Sequence, residues 1–164
     1  MHFTSIVLGR PEDKILRLQI LGVDVSTADL KEAVRRSDEL IRLGNGGYIC
    51  VADVHSVVEA LGDPQHRKAL NGASLTVADG MPLVWMGRLR GSRSIGRVYG
   101  PDFLLAMCDA SMERGWRHFF YGGRPGIADR LATQLVERFP GLQIAGTYTP
   151  PFRPLFPSRP GAHP

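Results

Sequence analysis

The sequence predicts an α/β fold with a mostly parallel sheet and helices on both faces. Short apolar runs at residues 48–52 and 75–78 have the length and composition of buried parallel strands, and the run RHFFY at residues 117–121 predicts a further strand. Each run is followed by a polar residue or a glycine turn and then by a stretch with helical periodicity. The chain has 164 residues, of which 43% are hydrophobic, and this is enough for one compact domain.

Charge and cysteine content narrow the class of protein. Twenty Lys and Arg against 16 Asp and Glu give a net charge of +4, which suits an anionic ligand or a membrane surface. Nucleic acid is not an expected partner, because the aromatic pattern of an RNA-binding sheet and a basic stripe are both missing from the sequence. Cys50 and Cys108 lie far apart in apolar segments, which predicts free thiols in a reducing cytosol.

The first half of the chain begins with a predicted strand at residues 16–23, which alternates apolar and polar side chains. Ser26 or Thr27 is then expected to cap a helix that ends at the glycines of residues 44–47. The apolar strand at residues 48–52 follows.

Two short helices separate that strand from the next one. The first is predicted over residues 55–61, and the second starts at Asp63 and Pro64. Residues 75–78 form the next strand, after which Pro82 fits the first turn of a helix.

The second half predicts a loop over residues 91–100 and a helix from Pro101 to Arg114. A strand (117–121), a glycine turn, a helix (127–139) and a last strand (142–146) complete the pattern. From residue 150 onward, the chain holds six of its 12 prolines, which disfavour both helix and central strand. We therefore expect one α/β domain over residues 1–148 and an irregular tail over residues 149–164.

Two acids follow neighbouring predicted strands. Asp79 comes directly after the strand at residues 75–78, and Asp53 occupies the equivalent place after residues 48–52. Parallel strands present their carboxyl ends at one edge of a sheet, where ligands bind, so Asp79 could serve as a general base there and Asp53 could bind substrate. Either acid could equally cap the helix that follows it, because Asp is a favoured N-cap residue.

Basic and glycine-rich segments offer candidate sites for phosphate. Arg88, Arg90, Arg93 and Arg97 lie in a stretch without an acid, and Arg97 differs from the others in entering the apolar segment VYGPD. A guanidinium can donate two hydrogen bonds to phosphate oxygens, although a solvated basic loop explains the first three arginines as well. Gly122 and Gly123 precede a predicted helix, where they would either help to bind a phosphate or simply allow a tight turn.

Other catalytic motifs are missing from the sequence. It contains no GxGxxG, no P-loop, no GxSxG and no HExxH, which argues against a nicotinamide cofactor, a nucleotide-hydrolysing loop, a serine hydrolase and a zinc protease. No His or Cys cluster has the spacing of metal ligands, so neither a metal nor a cofactor is expected.

Five segments together resemble the WecG/TagA/CpsF glycosyltransferase family of bacterial surface-polymer synthesis. They occur in the family's order between residues 16 and 155, and they read ADGMPLVW, RVYGPDFLL, FFYGG, RFPGLQIAGTY and PPFRPL. The resemblance implies a Rossmann-like enzyme that transfers an N-acetylhexosamine, with inversion and without an essential metal. The implied donor is a UDP-sugar, and the implied acceptor is linked to a polyprenyl diphosphate.

The resemblance also assigns roles to single residues. Asp79 matches the family's proposed general base, and Arg97 matches an arginine that stabilises the diphosphate. Val51 and Asp53 stand where many members have threonine and asparagine, so Asp53 is expected to help bind substrate while Val51 brings no hydroxyl group. The implied location is the cytoplasm, with peripheral contact to the inner face of the cell membrane.

The sequence departs from the family pattern after Leu155. The family's further βα units, including a G-x-G-x-P-x-Q-E-like motif, do not follow, and the segment FPSRPGAHP does not resemble them. We therefore expect a C-terminally truncated sheet, whose exposed edge would favour self-association. The alternative function is that of a catalytically inactive relative, either a gene remnant or a non-catalytic binding module.

Overall fold

A computed structural model describes residues 16–44 and 46–151. The chain divides into two compact units, Met1–Met107 and Cys108–Pro164, and each is described by itself. The expected tail is described only as far as residue 151, and residues 149–151 form neither helix nor strand. The remainder of the tail and the proposed sequence break at Leu155 lie outside the described residues.

The first unit contains most of the predicted elements. Its strands are β1 (Arg17–Ile20), β2 (Val23–Ser26), β3 (Ile49–Ala52) and β4 (Leu75–Ala78). Its helices are α1 (Leu30–Leu43), α2 (Val54–Gly62), α3 (Pro64–Gly72) and α4 (Met81–Leu89), and α5 (Gly100–Arg114) begins in this unit and continues into the second. The α/β class predicted from the sequence is confirmed.

The prediction of a single strand over residues 16–23 is wrong. The segment is a hairpin of two antiparallel strands, in which Arg17 pairs with Ser26 and Ile20 pairs with Val23. The chain reverses at Leu21 and Gly22, whose φ angles are 49° and 85°. Two successive positive φ angles are typical of the tight turn that joins hairpin strands, and a leucine in that conformation gives no sequence signal.

The cap predicted for the first helix is also wrong. Asp29 is the N-cap of α1, and its Oδ1 accepts a hydrogen bond of 2.8 Å from the backbone N–H of Glu32. Ser26 is instead the last residue of β2, and the Thr27 hydroxyl donates to the carbonyl of Leu16 at 3.0 Å. At the other end of the helix, Gly44 is the C-cap, as expected.

Strand β4 lies at the centre of the first unit, and all four of its residues are buried. On one side it pairs in parallel with β3, from Ile49 opposite Leu75 to Ala52 opposite Ala78. On the other side, the backbone N–H of Thr76 donates to the Ser26 hydroxyl at 3.1 Å, which brings β2 alongside.

Alternate residues of β4 enter two separate apolar clusters. Ala78 packs with a cluster whose helical members come from α2, α3 and α4: Val57, Ala60, Leu70, Leu83 and Val84. Leu75 and Val77 pack with Ala33 of α1, and Phe103 of α5 lies against this second cluster. Because side chains alternate across a strand, helices cover both faces of this sheet, as the sequence predicted.

The second unit contains one further parallel pair of strands. Strands β5 (Arg117–Tyr121) and β6 (Gln143–Tyr148) pair in parallel, with a register shift between His118 and Phe119, and α6 (Ile127–Arg138) connects them. The last strand therefore runs two residues beyond the predicted end at residue 146. Both parallel pairs agree with the predicted mostly parallel sheet.

Candidate active site

The two acids at the strand ends lie at the same edge of the β3–β4 pair. Ala52 pairs with Ala78, so Asp53 and Asp79 are the next residues in register, and the backbone N–H of Asp79 donates to the carbonyl of Ala52 at 2.9 Å. The sequence predicted this shared edge from the two apolar runs. The two side chains nevertheless make different contacts.

Asp53 is a helix cap. Its Oδ1 accepts a hydrogen bond of 2.7 Å from the backbone N–H of Ser56, and α2 begins at the residue after Asp53. The backbone N–H and the side chain of Ser56 hold the pKa of the Asp53 carboxyl below its usual value of 3.8. Asp53 is exposed, and its predicted role in binding substrate stays a prediction.

Asp79 does not cap the helix that follows it. Gly80 is the N-cap of α4 and provides no side-chain hydrogen bond, and Pro82 in the first turn removes one N–H that would need an acceptor. The Asp79 side chain instead contacts the start of α5, where the backbone N–H of Gly100 lies 3.5 Å from Oδ2. A hydrogen bond of that length is weak, so Oδ2 can exchange it for a hydrogen bond to a ligand.

Arg97 lies beside Asp79. Its Nε donates to the backbone carbonyl of Asp79 at 3.2 Å, and its Nη2 is 4.0 Å from Asp79 Oδ1. The guanidinium carbon also lies 4.7 Å from the centre of the Tyr99 ring, within the range of a cation–π contact. With 48% of the Arg97 side chain and 22% of the Asp79 side chain exposed, both groups are open to a ligand.

The backbone that carries Arg97 is fixed by its neighbours. Ile95 and Val98 are buried, and the N–H of Val98 donates to the carbonyl of Ala78 at 2.7 Å, directly before Asp79. Ile95 packs so closely on Gly87 of α4 that a Cβ there would lie 2.7 Å from its Cδ1. Ile95 and Val98 are therefore part of the core, and they hold the backbone of Arg97 in place between them.

The sequence did not single out Tyr99 and Gly100, which complete this group of residues. Both belong to the segment RVYGPD, so their position next to Arg97 in the sequence could have pointed to them. Val51 lies close to the same group, because a Cβ added to Gly100 would lie 3.7 Å from Val51 Cγ1 and 3.9 Å from Asp79 Oδ2. We call Asp79, Arg97, Tyr99 and Gly100 the Asp79 cluster.

Gly122 and Gly123 lie in the second unit, in the turn between β5 and α6. Their φ angles of 107° and 79° are in the region that favours glycine, which supports the tight-turn interpretation of these residues. The predicted contact of this turn with a phosphate stays a prediction.

Neither cysteine has the surroundings of an activated nucleophile. Burial raises the pKa of both the Cys50 and the Cys108 thiol, whereas a reactive thiol needs a lowered pKa. In the described part of the chain, no group of three or more His, Cys, Asp or Glu residues could hold a metal ion. The metal-independent reaction implied by the resemblance stays a prediction.

The family of the chain follows from comparison with known proteins. The model of the glycosyl transferase WecG/TagA/CpsF family matches residues 18–159, and the chain belongs to this family. The match extends past Leu155, where the sequence suggested that the resemblance ends.

Two curated relatives carry the same name, N-acetylglucosaminyldiphosphoundecaprenol N-acetyl-beta-D-mannosaminyltransferase. The protein from Bacillus spizizenii is 28% identical over 101 residues, which are 62% of this chain and 39% of the relative. The protein from Bacillus subtilis is 23% identical over 101 residues, which are 62% of this chain and 40% of the relative. The match thus spans about two fifths of the length of either relative.

Proposed function

We propose that this chain is a glycosyltransferase that moves an N-acetylhexosamine from a UDP-sugar to a polyprenyl-diphosphate-linked acceptor, with inversion. The process it serves would be bacterial cell-surface polysaccharide biosynthesis. The observation that carries the proposal is Asp79, an acid at the carboxyl end of a central strand that does not cap the helix following it and has a guanidinium beside it. Family membership and the names of the two Bacillus relatives support the type of reaction.

Asp79 is the general base in this proposal. Its carboxylate accepts the proton of the acceptor hydroxyl while that oxygen forms a bond to the anomeric carbon of the donor. The bond between the anomeric carbon and the UDP oxygen breaks on the opposite face, and UDP leaves with the electron pair. One displacement at the anomeric carbon gives inversion. The weak contact with Gly100 suits this role, because the carboxylate can exchange it for the acceptor hydroxyl.

Arg97 binds the diphosphate of the donor and stabilises the charge that develops on it. Its Nε is tethered to the backbone carbonyl of Asp79, and its two terminal nitrogens make no hydrogen bond to the residues that the structure describes. A fixed cation costs little reorganisation when the UDP oxygen becomes negative. Tyr99 positions the guanidinium through the cation–π contact.

Other binding roles rest on local geometry. Asp53 uses Oδ1 as a cap, and we assign its Oδ2 to a hydroxyl of the substrate. Gly122 and Gly123 remain candidate phosphate-binding residues because their turn leads into α6, whose N-cap Gly126 makes no side-chain hydrogen bond. No cofactor is required, and the proposed location is the cytoplasm at the inner face of the membrane.

Among residues 16–44 and 46–151, no helix combines the length and apolarity needed to cross a membrane.

The proposal is tested with the purified chain and a short-chain, water-soluble polyprenyl-diphosphate N-acetylglucosamine as acceptor. We expect time-dependent transfer from UDP-N-acetylmannosamine, with NMR showing that the anomeric configuration of the sugar is inverted. Calorimetric titration with UDP should give binding in about the micromolar range. Transfer with retained configuration would contradict the single displacement. Folded protein that neither releases heat with UDP nor transfers sugar would support the inactive relative instead.

A further inference from the structure

Helix α4 is apolar on its outward side as well as on its inward side. Leu83 and Val84 face the core, and they are 2% and 0% exposed. Met81, Trp85 and Leu89 are 37%, 61% and 90% exposed. Their spacing of four residues places them on one face of the helix. A helix on the surface of a soluble domain normally turns polar side chains outward, so this face is suited to an apolar environment.

The charges on this face and in the segment that follows it are positive. Arg88 lies in the last turn of α4, on the same outward face as Trp85 and Leu89. Arg90 and Arg93 follow, and the sequence from Arg88 to Arg97 contains no acid. Apolar side chains with a tryptophan and several arginines are the composition of helices that lie in the interface of an anionic bilayer. A partner protein with a purely apolar surface would not use these charges.

The outward face starts next to the Asp79 cluster. Met81 follows Asp79 by two residues, and nine helical residues extend over about 13 Å. A bilayer in contact with this face would therefore lie within about the length of α4 from the carboxylate. An acceptor that is anchored in a membrane by its lipid would present its sugar at a comparable distance from the membrane surface.

We propose that the outward face of α4, formed by Met81, Trp85, Arg88 and Leu89, docks the protein on an anionic lipid bilayer. Leu89 and Trp85 insert among the acyl chains and glycerol groups, and Arg88 contacts lipid phosphates. The proposed function is needed only to identify the bilayer as the membrane that carries the acceptor. The docking itself depends on the composition and exposure of α4.

Tryptophan fluorescence tests the docking directly, because Trp85 and Trp116 are the two tryptophans of the chain. In the Trp116→Phe protein, Trp85 is the single emitter. We expect its emission to shift to shorter wavelength with phosphatidylcholine–phosphatidylglycerol vesicles and to be quenched by brominated acyl chains. Vesicles of phosphatidylcholine alone should bind more weakly. Sedimentation of the protein with anionic vesicles while Trp85 stays unquenched would overturn the proposal.

Substitutions locate the surface. Leu89→Gln should lower the affinity for anionic vesicles by about tenfold, because an inserted leucine loses its apolar contact. Arg88→Glu should lower it as well, with a weaker dependence on salt. The matched control is Leu43→Gln at the end of α1, where Leu43 is 67% exposed beside Arg42, which is ion-paired with Asp38 at 3.3 Å. An equal loss in the control would place the lipid contact elsewhere and overturn the assignment to α4.

Self-association is the competing explanation of the apolar face. If a second copy of the chain covers it, sedimentation velocity without lipid will show a dimer that Leu89→Gln dissociates, and vesicles will not be bound. That result would overturn the proposal. Failure of the proposed function looks different: Trp85 enters the bilayer, but no sugar is transferred to the water-soluble acceptor. Asp79→Asn should bind vesicles as the parental chain does, which separates the two questions.

Discussion

The two junctions after β3 and β4 differ by one residue, and that residue decides what each acid does. Asp53 is followed at once by the first residue of α2, so the acid is the N-cap and its carboxylate is used by Ser56. After Asp79, Gly80 comes before the first residue of α4, so glycine takes the cap position. Asp79 is thereby released from capping, and its carboxylate lies beside Arg97 instead. The Asp79 carboxylate is therefore open to a ligand, whereas one oxygen of the Asp53 carboxylate is already bonded to the start of α2.

Removal of the Asp79 carboxylate should have the largest effect. Asp79→Ala is expected to lower the rate of transfer by about 10²–10⁴-fold, the usual contribution of a general base. Added formate should restore part of the rate, because a free carboxylate can enter the space of the missing one. Calorimetry should show UDP binding close to that of the parental chain. A parental rate of transfer in Asp79→Ala would assign Asp79 to structure alone.

Loss of the Arg97 guanidinium should have the next largest effect. Arg97→Ala is expected to lower kcat by about a hundredfold, because the charge that develops on the diphosphate loses a fixed donor. Arg97→Lys keeps the charge but loses the planar group that lies over the Tyr99 ring. Its kcat should therefore lie between that of the parental chain and that of Arg97→Ala. Steady-state kinetics with varied donor checks this order. An unchanged kcat in Arg97→Ala would remove the arginine from the site.

Loss of the Asp53 cap should affect stability more than chemistry. Asp53→Ala is expected to lower the free energy of unfolding by about 1 kcal/mol, the typical cost of losing an N-cap side chain. Asp53→Asn should stay near the parental value, since asparagine also accepts from a backbone N–H. Urea unfolding followed by circular dichroism measures both. Equal stability of the Ala and Asn variants would show that the cap contributes nothing.

The smallest expected effect is a dependence of the Asp53 cap on acid. The pKa of Asp53 is lower in the folded chain than its usual value of 3.8, so the ionised cap stabilises fully above pH 3.8. As the pH falls through the lower folded pKa, this contribution is lost. The asparagine cap does not titrate, so the stability of the parental chain relative to Asp53→Asn should fall below pH 3.8. A constant difference across that range would contradict the lowered pKa.

The sequence was sufficient for the elements that apolar runs define. The bounds of β4 are those predicted, and the shared edge of Asp53 and Asp79 followed from two neighbouring buried strands. The hairpin at Leu21 was not predictable in this way, because a leucine with positive φ carries no local signal. The pairing of Ile20 with Val23 on either side of the turn accompanies that conformation.

The choice between cap and catalyst was also beyond the local pattern. Both acids are good caps by composition, and the first residue of a helix is the least reliable part of a sequence-based assignment. The contact of Arg97 with Asp79 joins residues 18 apart and depends on the buried segment at Ile95 and Val98. Family resemblance pointed to both residues, and the structure supplies a physical reason for their proximity.

The most direct test of the roles of the two acids is a side-by-side measurement of sugar transfer by Asp53→Asn and Asp79→Asn. Each substitution keeps the shape of the side chain and removes its negative charge. We predict that Asp53→Asn keeps most of the parental rate, because asparagine can still cap α2 and its amide N–H can donate to the substrate hydroxyl. Asp79→Asn, in contrast, should lose transfer while still binding UDP. Loss of transfer in Asp53→Asn with a parental rate in Asp79→Asn would contradict this prediction, because the capping acid would then be the catalytic one.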